Sequence, residues 1–173
     1  LAYVCCVGAQ TDLIFDGASM CFDANGNLVQ IGKSFEEDFI LFDTKRKYVP
    51  IEKCEESFEE EVYKSLVFGL KEYCNKLKFN KVLVGLSGGM DSALVTCVAV
   101  DALGAENVHV IIMPSKYSSS GSVTDSELLV KNLGIKADNI SIQPVVDEII
   151  NQFRYNLKND IKSLTEENLQ ARV

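Results

Sequence analysis

Residues 81–100 read KVLVGLSGGMDSALVTCVAV. An apolar run of strand length ends at Ser87, Gly88 and Gly89, and Asp91 and Ser92 then open an apolar run of helix length. This strand–turn–helix order leaves few architectures. The strand shows no polar alternation, so it reads as buried on both faces. VHVIIMP and then ISIQP repeat the strand pattern downstream. MDSALVTCVAVDALG reads as a helix apolar on most sides and stopped by Gly104. A polar loop, SKYSSSGSV, precedes TDSE, whose spacing predicts a capping box with Thr124 as N-cap and Glu127 reaching back. That helix is expected to run to Gly134, with a further helix over VVDEIINQFRYNL and another opening at TEENLQARV. Strands alternating with helices predict an α/β fold, a parallel sheet with helices on both faces.

The preceding part reads differently. Residues 1–49 are strand-like: LAYVCCVG, then LIFDGASMCF and NLVQIG joined by a turn at Asn25-Gly26, then DFILFD. A charged linker over 50–57, carrying Pro50, separates them from the stretch 58–173. EEEVYKSLVFGLKEYCNKL places Val62, Leu66, Leu70, Tyr73, Cys74 and Leu77 at helical spacing. The acidic run Glu55–Glu61 is a solvated helix start that suits the helix dipole. The chain opens on Leu1 rather than Met and closes on a helical pattern, and is read as an internal segment of a longer protein.

Composition narrows the function classes. The net charge of −8 argues against a broad nucleic-acid surface. No apolar run approaches the roughly 20 residues of a membrane span, and no signal peptide is evident. The six cysteines, at 5, 6, 21, 54, 74 and 97, form no C-x-x-C and accompany a single His, so zinc spacing is absent. They are expected to be reduced core residues of a cytoplasmic protein.

In a parallel sheet, ligands sit beyond the carboxyl ends of the strands. Gly85, Leu86, Ser87, Gly88, Gly89, Met90, Asp91 and Ser92 therefore flank such a crevice. The glycines allow close backbone approach, and the following helix offers unpaired N–H groups and partial positive charge to a phosphate. Ser87 and Ser92 offer hydroxyls, and Asp91 in the first turn can hold Mg²⁺. The stretch is not Walker A, because no Lys-Ser or Lys-Thr follows, and it does not fit G-x-G-x-x-G. The residues alone leave two readings: a tight turn with a capping Asp, or an anion or nucleotide site.

SGGMDS resembles the S-G-G-x-D-S loop of the PP-loop ATP pyrophosphatases. IIMPSKYSSSGSVTDS and TEENLQARV are similar to segments of the glutamine-dependent NAD⁺ synthetases, which read M-P-S-x-Y-S-S and E-N-x-Q-A-R. LAYVCCVGAQTDLIFDGASMCFDANGNLVQ resembles the last strands of the nitrilase-like glutaminase domain that precedes the synthetase in that family. The resemblance implies that residues 1–49 end a glutaminase domain and that 58–173 begin a synthetase domain. It implies ATP and Mg²⁺, and deamido-NAD with glutamine or ammonia as substrates. It further implies that the acceptor carboxylate is adenylated, that pyrophosphate and AMP are released, and that the protein is a homo-oligomer. Gly85–Ser92 and Met113 are then the ATP residues, Asp91 the metal ligand, and Asn168 and Arg172, four apart on one helix face, contacts to deamido-NAD. Lys116, Tyr117 and Ser118–Ser120 either line the site or form a solvated loop. Met113 could equally be a strand-end residue and Arg172 a surface residue; His109 is read as structural. The family's glutaminase cysteine, glutamate and lysine are not matched here. Cys5 and Cys6 fall on a later strand, where Asn is common in the family. The segment alone is expected to be inactive. The alternatives are another PP-loop ligase, such as a GMP synthetase, or a non-catalytic nucleotide-binding module.

Overall fold

A computed structural model describes residues 1–52, 57–114, 116, 118–157 and 168. The chain divides into two compact units, Leu1–Asn80 and Lys81–Val173.

The first unit holds β1 (Ala2–Tyr3), β2 (Val7–Gln10), β3 (Leu13–Asp16), β4 (Met20–Phe22), β5 (Leu28–Ile31) and α1 (Phe58–Leu77). β2 and β3 form an antiparallel hairpin, and β1, β4 and β5 an antiparallel sheet in the order β1-β4-β5. The Asn25-Gly26 turn joins β4 to β5 as expected, with Gly26 at φ 84°. Asp23 holds it, accepting from the Asn25 and Asn27 amides at 2.8 and 2.9 Å and from the Asn27 side chain at 2.9 Å.

Three strand expectations need correction. LAYVCCVG is two strands, with Cys5 and Cys6 between them. LIFDGASMCF breaks where Gly17 takes φ 78° and Ala18 φ 39°. Those values lie outside the extended region that a strand requires. DFILFD is not a strand. There Asp38 accepts from the Lys33 amide at 3.1 Å and from the Phe39 amide at 2.8 Å. Local side-chain bonds thus replace a ladder.

α1 starts where Ser57 accepts from the Glu60 amide at 3.2 Å, with Glu59, Glu60 and Glu61 in its first turn. The helix lies close to the β2–β3 hairpin at Gly69, where an added Cβ would come 2.7 Å from Ile14 Cδ1. Phe68 packs on Phe35 at 5.5 Å between ring centroids. Cys74 is buried, but Val62, Leu66, Tyr73 and Leu77 on the expected apolar face stay exposed within the described residues. The hairpin covers only part of that stripe.

The second unit runs β6 (Val82–Leu86), α2 (Met90–Leu103), a short 3-10 turn, β7 (Val108–Ile112), α3 (Ser120–Leu133), β8 (Lys136–Asn139) and α4 (Gln143–Leu157). The strands are parallel in the order β6-β7-β8, with Leu86 beside Ile112 and Ile112 beside Asn139. This is the expected α/β architecture, except that β6 is not buried on both faces: Leu83 is 63% exposed within the described residues. Val108, Val110 and Ile112 point into the core, where Thr96, Val98, Ala99 and Ala102 of α2 are also buried.

Two boundaries shift. The third strand is KADN rather than ISIQP, because it adds at the sheet edge, where its side chains stay exposed. Ile140 and Ile142 follow it and still donate to the carbonyls of Ile112 and Pro114 at 2.9 and 3.3 Å. The N-cap of α3 is Ser119, not Thr124. Ser119 accepts from the Ser122 amide at 3.0 Å, so the serine-rich loop is already the first helical turn and Thr124 lies inside the helix.

Candidate functional site: the glycine turn at the end of β6

The turn is built from β6 outward. Leu86 is buried at the strand end, which fixes where Ser87 leaves the sheet. Gly88 takes φ 81°, a value that favours glycine. A Cβ there would also lie 2.6 Å from Ser122 Cα and closer still to its carbonyl oxygen, so the first turn of α3 sits directly on the loop. Gly89 caps α2 with extended backbone at φ −85° and ψ 158°. Its missing Cβ would meet only Ser87 Oγ, at 3.4 Å, which leaves its outer side open.

Ser92 holds the turn shut from inside. Its Oγ accepts from the Ser87 amide at 3.2 Å, donates to the Gly89 carbonyl at 3.0 Å, and lies 3.0 Å from Ser87 Oγ. Ser87 Oγ also accepts from the Gly89 amide at 3.3 Å. Below it, buried Thr96 donates to the Ser92 carbonyl at 2.7 Å. The loop is therefore preorganised before any ligand arrives. The N–H groups of the first turn of α2 have no intrahelical acceptor, and they point out of the same end.

Asp91 is exposed in that first turn and has no side-chain partner among the described residues. Those residues contain no group of three or more His, Cys, Asp or Glu that could hold a metal by themselves. A single exposed carboxylate beside a helix N-terminus fits a cation that would take its remaining ligands from a bound ligand's oxygens and water.

The structure brings Met113 to this site. Its Cε lies 3.4 Å from where a Cβ on Gly85 would be, so the glycine makes room for the methionine. Met90 is exposed at the turn. Between α2 and α3, a cleft of about 250 Å³ runs beside Gly88, lined by Leu86, Ala93, Asp125, Ser126 and Leu129. Asn168 is helical and exposed; Tyr117 and Arg172 lie outside the described residues. His109 pairs with Asp138 across β7 and β8 at 2.8 Å, consistent with a structural role. Cys5, Cys6, Cys21, Cys74 and Cys97 are free thiols, but the expectation of core residues holds only for Cys21 and Cys74; Cys5 and Cys97 are half-buried and Cys6 is exposed, while Cys54 lies outside the described residues. The contact of Ser122 with the loop is a site feature that the sequence pattern does not mark, although the i,i+3 spacing of Ser119 and Ser122 is a capping signal.

A family described as NAD synthase matches residues 62–173, a stretch that contains the whole glycine turn. The chain belongs to the NAD synthase family. The glutamine-dependent NAD(+) synthetase of Thermotoga maritima is 37% identical across all of this chain, which covers 36% of that protein. The one from Synechocystis is 40% identical, again across all of this chain, which covers 32% of it. A solved glutamine-dependent NAD⁺ synthetase from Acinetobacter baumannii, in complex with ADP, superposes with a TM-score of 0.89 at 36% identity. That match covers 99% of this chain and 33% of the other. The chain thus spans about a third of the length of these relatives. The resemblance read from SGGMDS, MPSKYSS and ENLQAR is borne out at the level of the family.

Proposed function

We propose that the protein containing this chain amidates deamido-NAD to NAD⁺ in an ATP-dependent reaction, with ammonia supplied by glutamine. The observation that carries this reading is the preorganised S-G-G-x-D-S turn at the carboxyl end of β6, within the family match. The relatives' names and the ADP complex of the A. baumannii protein support it.

The chemistry asks for what the turn offers. A carboxylate is a poor electrophile. Its oxygen attacks the α-phosphorus of ATP, the bond from that phosphorus to the bridging oxygen breaks, and pyrophosphate leaves with the electron pair. The ammonia nitrogen then attacks the acyl carbon, AMP leaves, and the nitrogen loses a proton to solvent. Negative charge grows on the pyrophosphate in the first step. The Gly88 backbone N–H, the α2 terminus and the Ser87 hydroxyl are assigned to stabilise it, while Ser92, whose proton goes to the Gly89 carbonyl, acts by holding the loop beside the phosphates. Because Ser92 already holds the loop in shape, little reorganisation is required. Met113, beside Gly85, is assigned to the adenine side of ATP. Asp91 is assigned to Mg²⁺, which when bound neutralises phosphate charge. Asn168 and Arg172 are assigned to deamido-NAD. Residues 1–49 are assigned to the end of a glutaminase domain and 58–173 to the start of the synthetase domain. Glutamine hydrolysis is assigned to parts of the protein outside this chain, so the segment alone is assigned no glutaminase activity; as about a third of its relatives' length, it is also read as inactive in synthesis by itself.

The test uses the full-length protein with ATP, Mg²⁺, deamido-NAD and either glutamine or ammonium. NAD⁺ and AMP formed in equal amounts are expected. AMP without NAD⁺ would overturn the substrate assignment. No ATP turnover with either nitrogen source would return the glycine turn to a purely structural role.

A further inference from the structure

The ladder between β7 and β8 does not stop at the strand ends. Beyond Ile112 and Asn139, the Ile140 amide donates to the Ile112 carbonyl at 2.9 Å, and the Ile142 amide to the Pro114 carbonyl at 3.3 Å. The next rung is made by a side chain. Gln143 Oε1 accepts from the Lys116 amide at 2.8 Å, while its Nε2 donates to Asp147 Oδ1 at 2.7 Å. Gln143 and Asp147 are four apart on α4, so they share one helix face. The amide is used at both ends. Asp147, accepting only, fixes which end of the Gln143 side chain faces Lys116. The loop so held leaves β7 at Met113, whose side chain packs over Gly85 beside the glycine turn.

We propose that Gln143 is a positioning residue, an amide clamp that Asp147 orients and that sets the loop carrying Lys116 at the rim of the nucleotide site. This rests on the ATP reading of the glycine turn. The clamp itself rests on geometry alone. Gln143 touches no reacting group; it acts through the backbone at Lys116. Its loss should weaken ATP binding without slowing the chemical step.

The test uses the full-length protein, Gln143→Leu, Gln143→Glu and the double variant Gln143→Glu/Asp147→Asn. Glutamate at 143 keeps the acceptor for Lys116 but sets two carboxylates face to face. Asparagine at 147 restores a donor, with the polarity of the pair reversed. Hydrogen exchange at the Lys116 amide is read first, because it needs no activity. Exchange should rise about fivefold in both single variants, the factor one net hydrogen bond is worth, and return in the double variant. The KM for ATP should rise by about the same factor in the single variants, with kcat within about twofold, and recover in the double variant. Unchanged Lys116 exchange in Gln143→Leu would overturn the clamp. Raised exchange with an unchanged KM would overturn its positioning role. A wild-type protein that turns over no ATP would overturn the functional reading, while the exchange data would still decide the clamp.

Discussion

Gly88 and Gly89 are neighbours in one turn, yet the structure gives them different work, and alanine at each should fail in a different way. At Gly88 an alanine must hold φ 81°. A left-handed backbone costs a residue with a Cβ about 1–2 kcal/mol. Its Cβ must also fit 2.6 Å from Ser122 Cα and closer still to the Ser122 carbonyl oxygen. Both are backbone atoms at the start of α3, so no side chain can swing aside. Overpacking of this kind costs about 1–3 kcal/mol. Gly88→Ala should therefore destabilise the second unit by about 2–5 kcal/mol and lower its unfolding transition by about ten degrees or more. At Gly89 the backbone is ordinary and the Cβ meets only Ser87 Oγ at 3.4 Å. Gly89→Ala should cost the α2 N-cap about 0.5–1 kcal/mol and leave the fold intact. Its methyl would instead stand on the open side of the loop, where the proposed phosphate sits. A misfit there of about 1–3 kcal/mol weakens ATP binding roughly 5- to 150-fold. The assay is thermal unfolding paired with calorimetric ATP titration on the two full-length variants. A Gly88→Ala protein as stable as wild type would refute the packing argument. A Gly89→Ala protein with normal ATP affinity would refute the cradle.

Three further outcomes are expected. Ser92→Ala removes the hydroxyl that holds the Ser87 amide and the Gly89 carbonyl. It should weaken ATP binding by about 1–2 kcal/mol with little change in fold, which titration of the purified variant checks. Asp91→Asn should fold normally, because the side chain is exposed and has no partner among the described residues, while the Mg²⁺ concentration for half-maximal turnover rises; a Mg²⁺ titration of activity checks it. The Asp23 carboxyl is held below its ordinary value, first by the Asn27 side chain and then by the Asn27 amide. Because the folded value is depressed, its support of the β4–β5 turn is complete above the unfolded value of about 3.9 and fades as pH falls through the folded one. The stability difference between wild type and Asp23→Ala, measured by urea unfolding, should therefore shrink at acid pH; a difference that grows there would contradict the assignment.

The parallel sheet and the glycine turn at the carboxyl end of β6 were legible in the sequence because their signals are local. VLVGL and VHVII are continuous apolar runs, the glycines interrupt the pattern at one point, and Gly104 and Gly134 both mark helix ends. The errors fell where a local signal competed with a distant one. TDSE is a proper capping box, yet Ser119 caps the helix a turn earlier and carries Ser122 onto Gly88. ISIQP has the composition of a buried strand, but the register with β7 uses KADN at the sheet edge. DFILFD has strand-like composition, but among the described residues it has no ladder to join.

Sequence by itself determined the alternation of strands and helices in the second unit, the acidic balance and the residue types at the glycine turn. Chain-local propensities and periodicity suffice for those. Only the tertiary structure decided which glycine is there for packing and which borders open space, because that depends on α3, which follows the turn only after a whole helix and strand. It likewise decided that Met113 lies over Gly85 and that Gln143 of α4 reaches Lys116. Contacts between elements are set by how strands register and helices pack, and no local pattern carries that information.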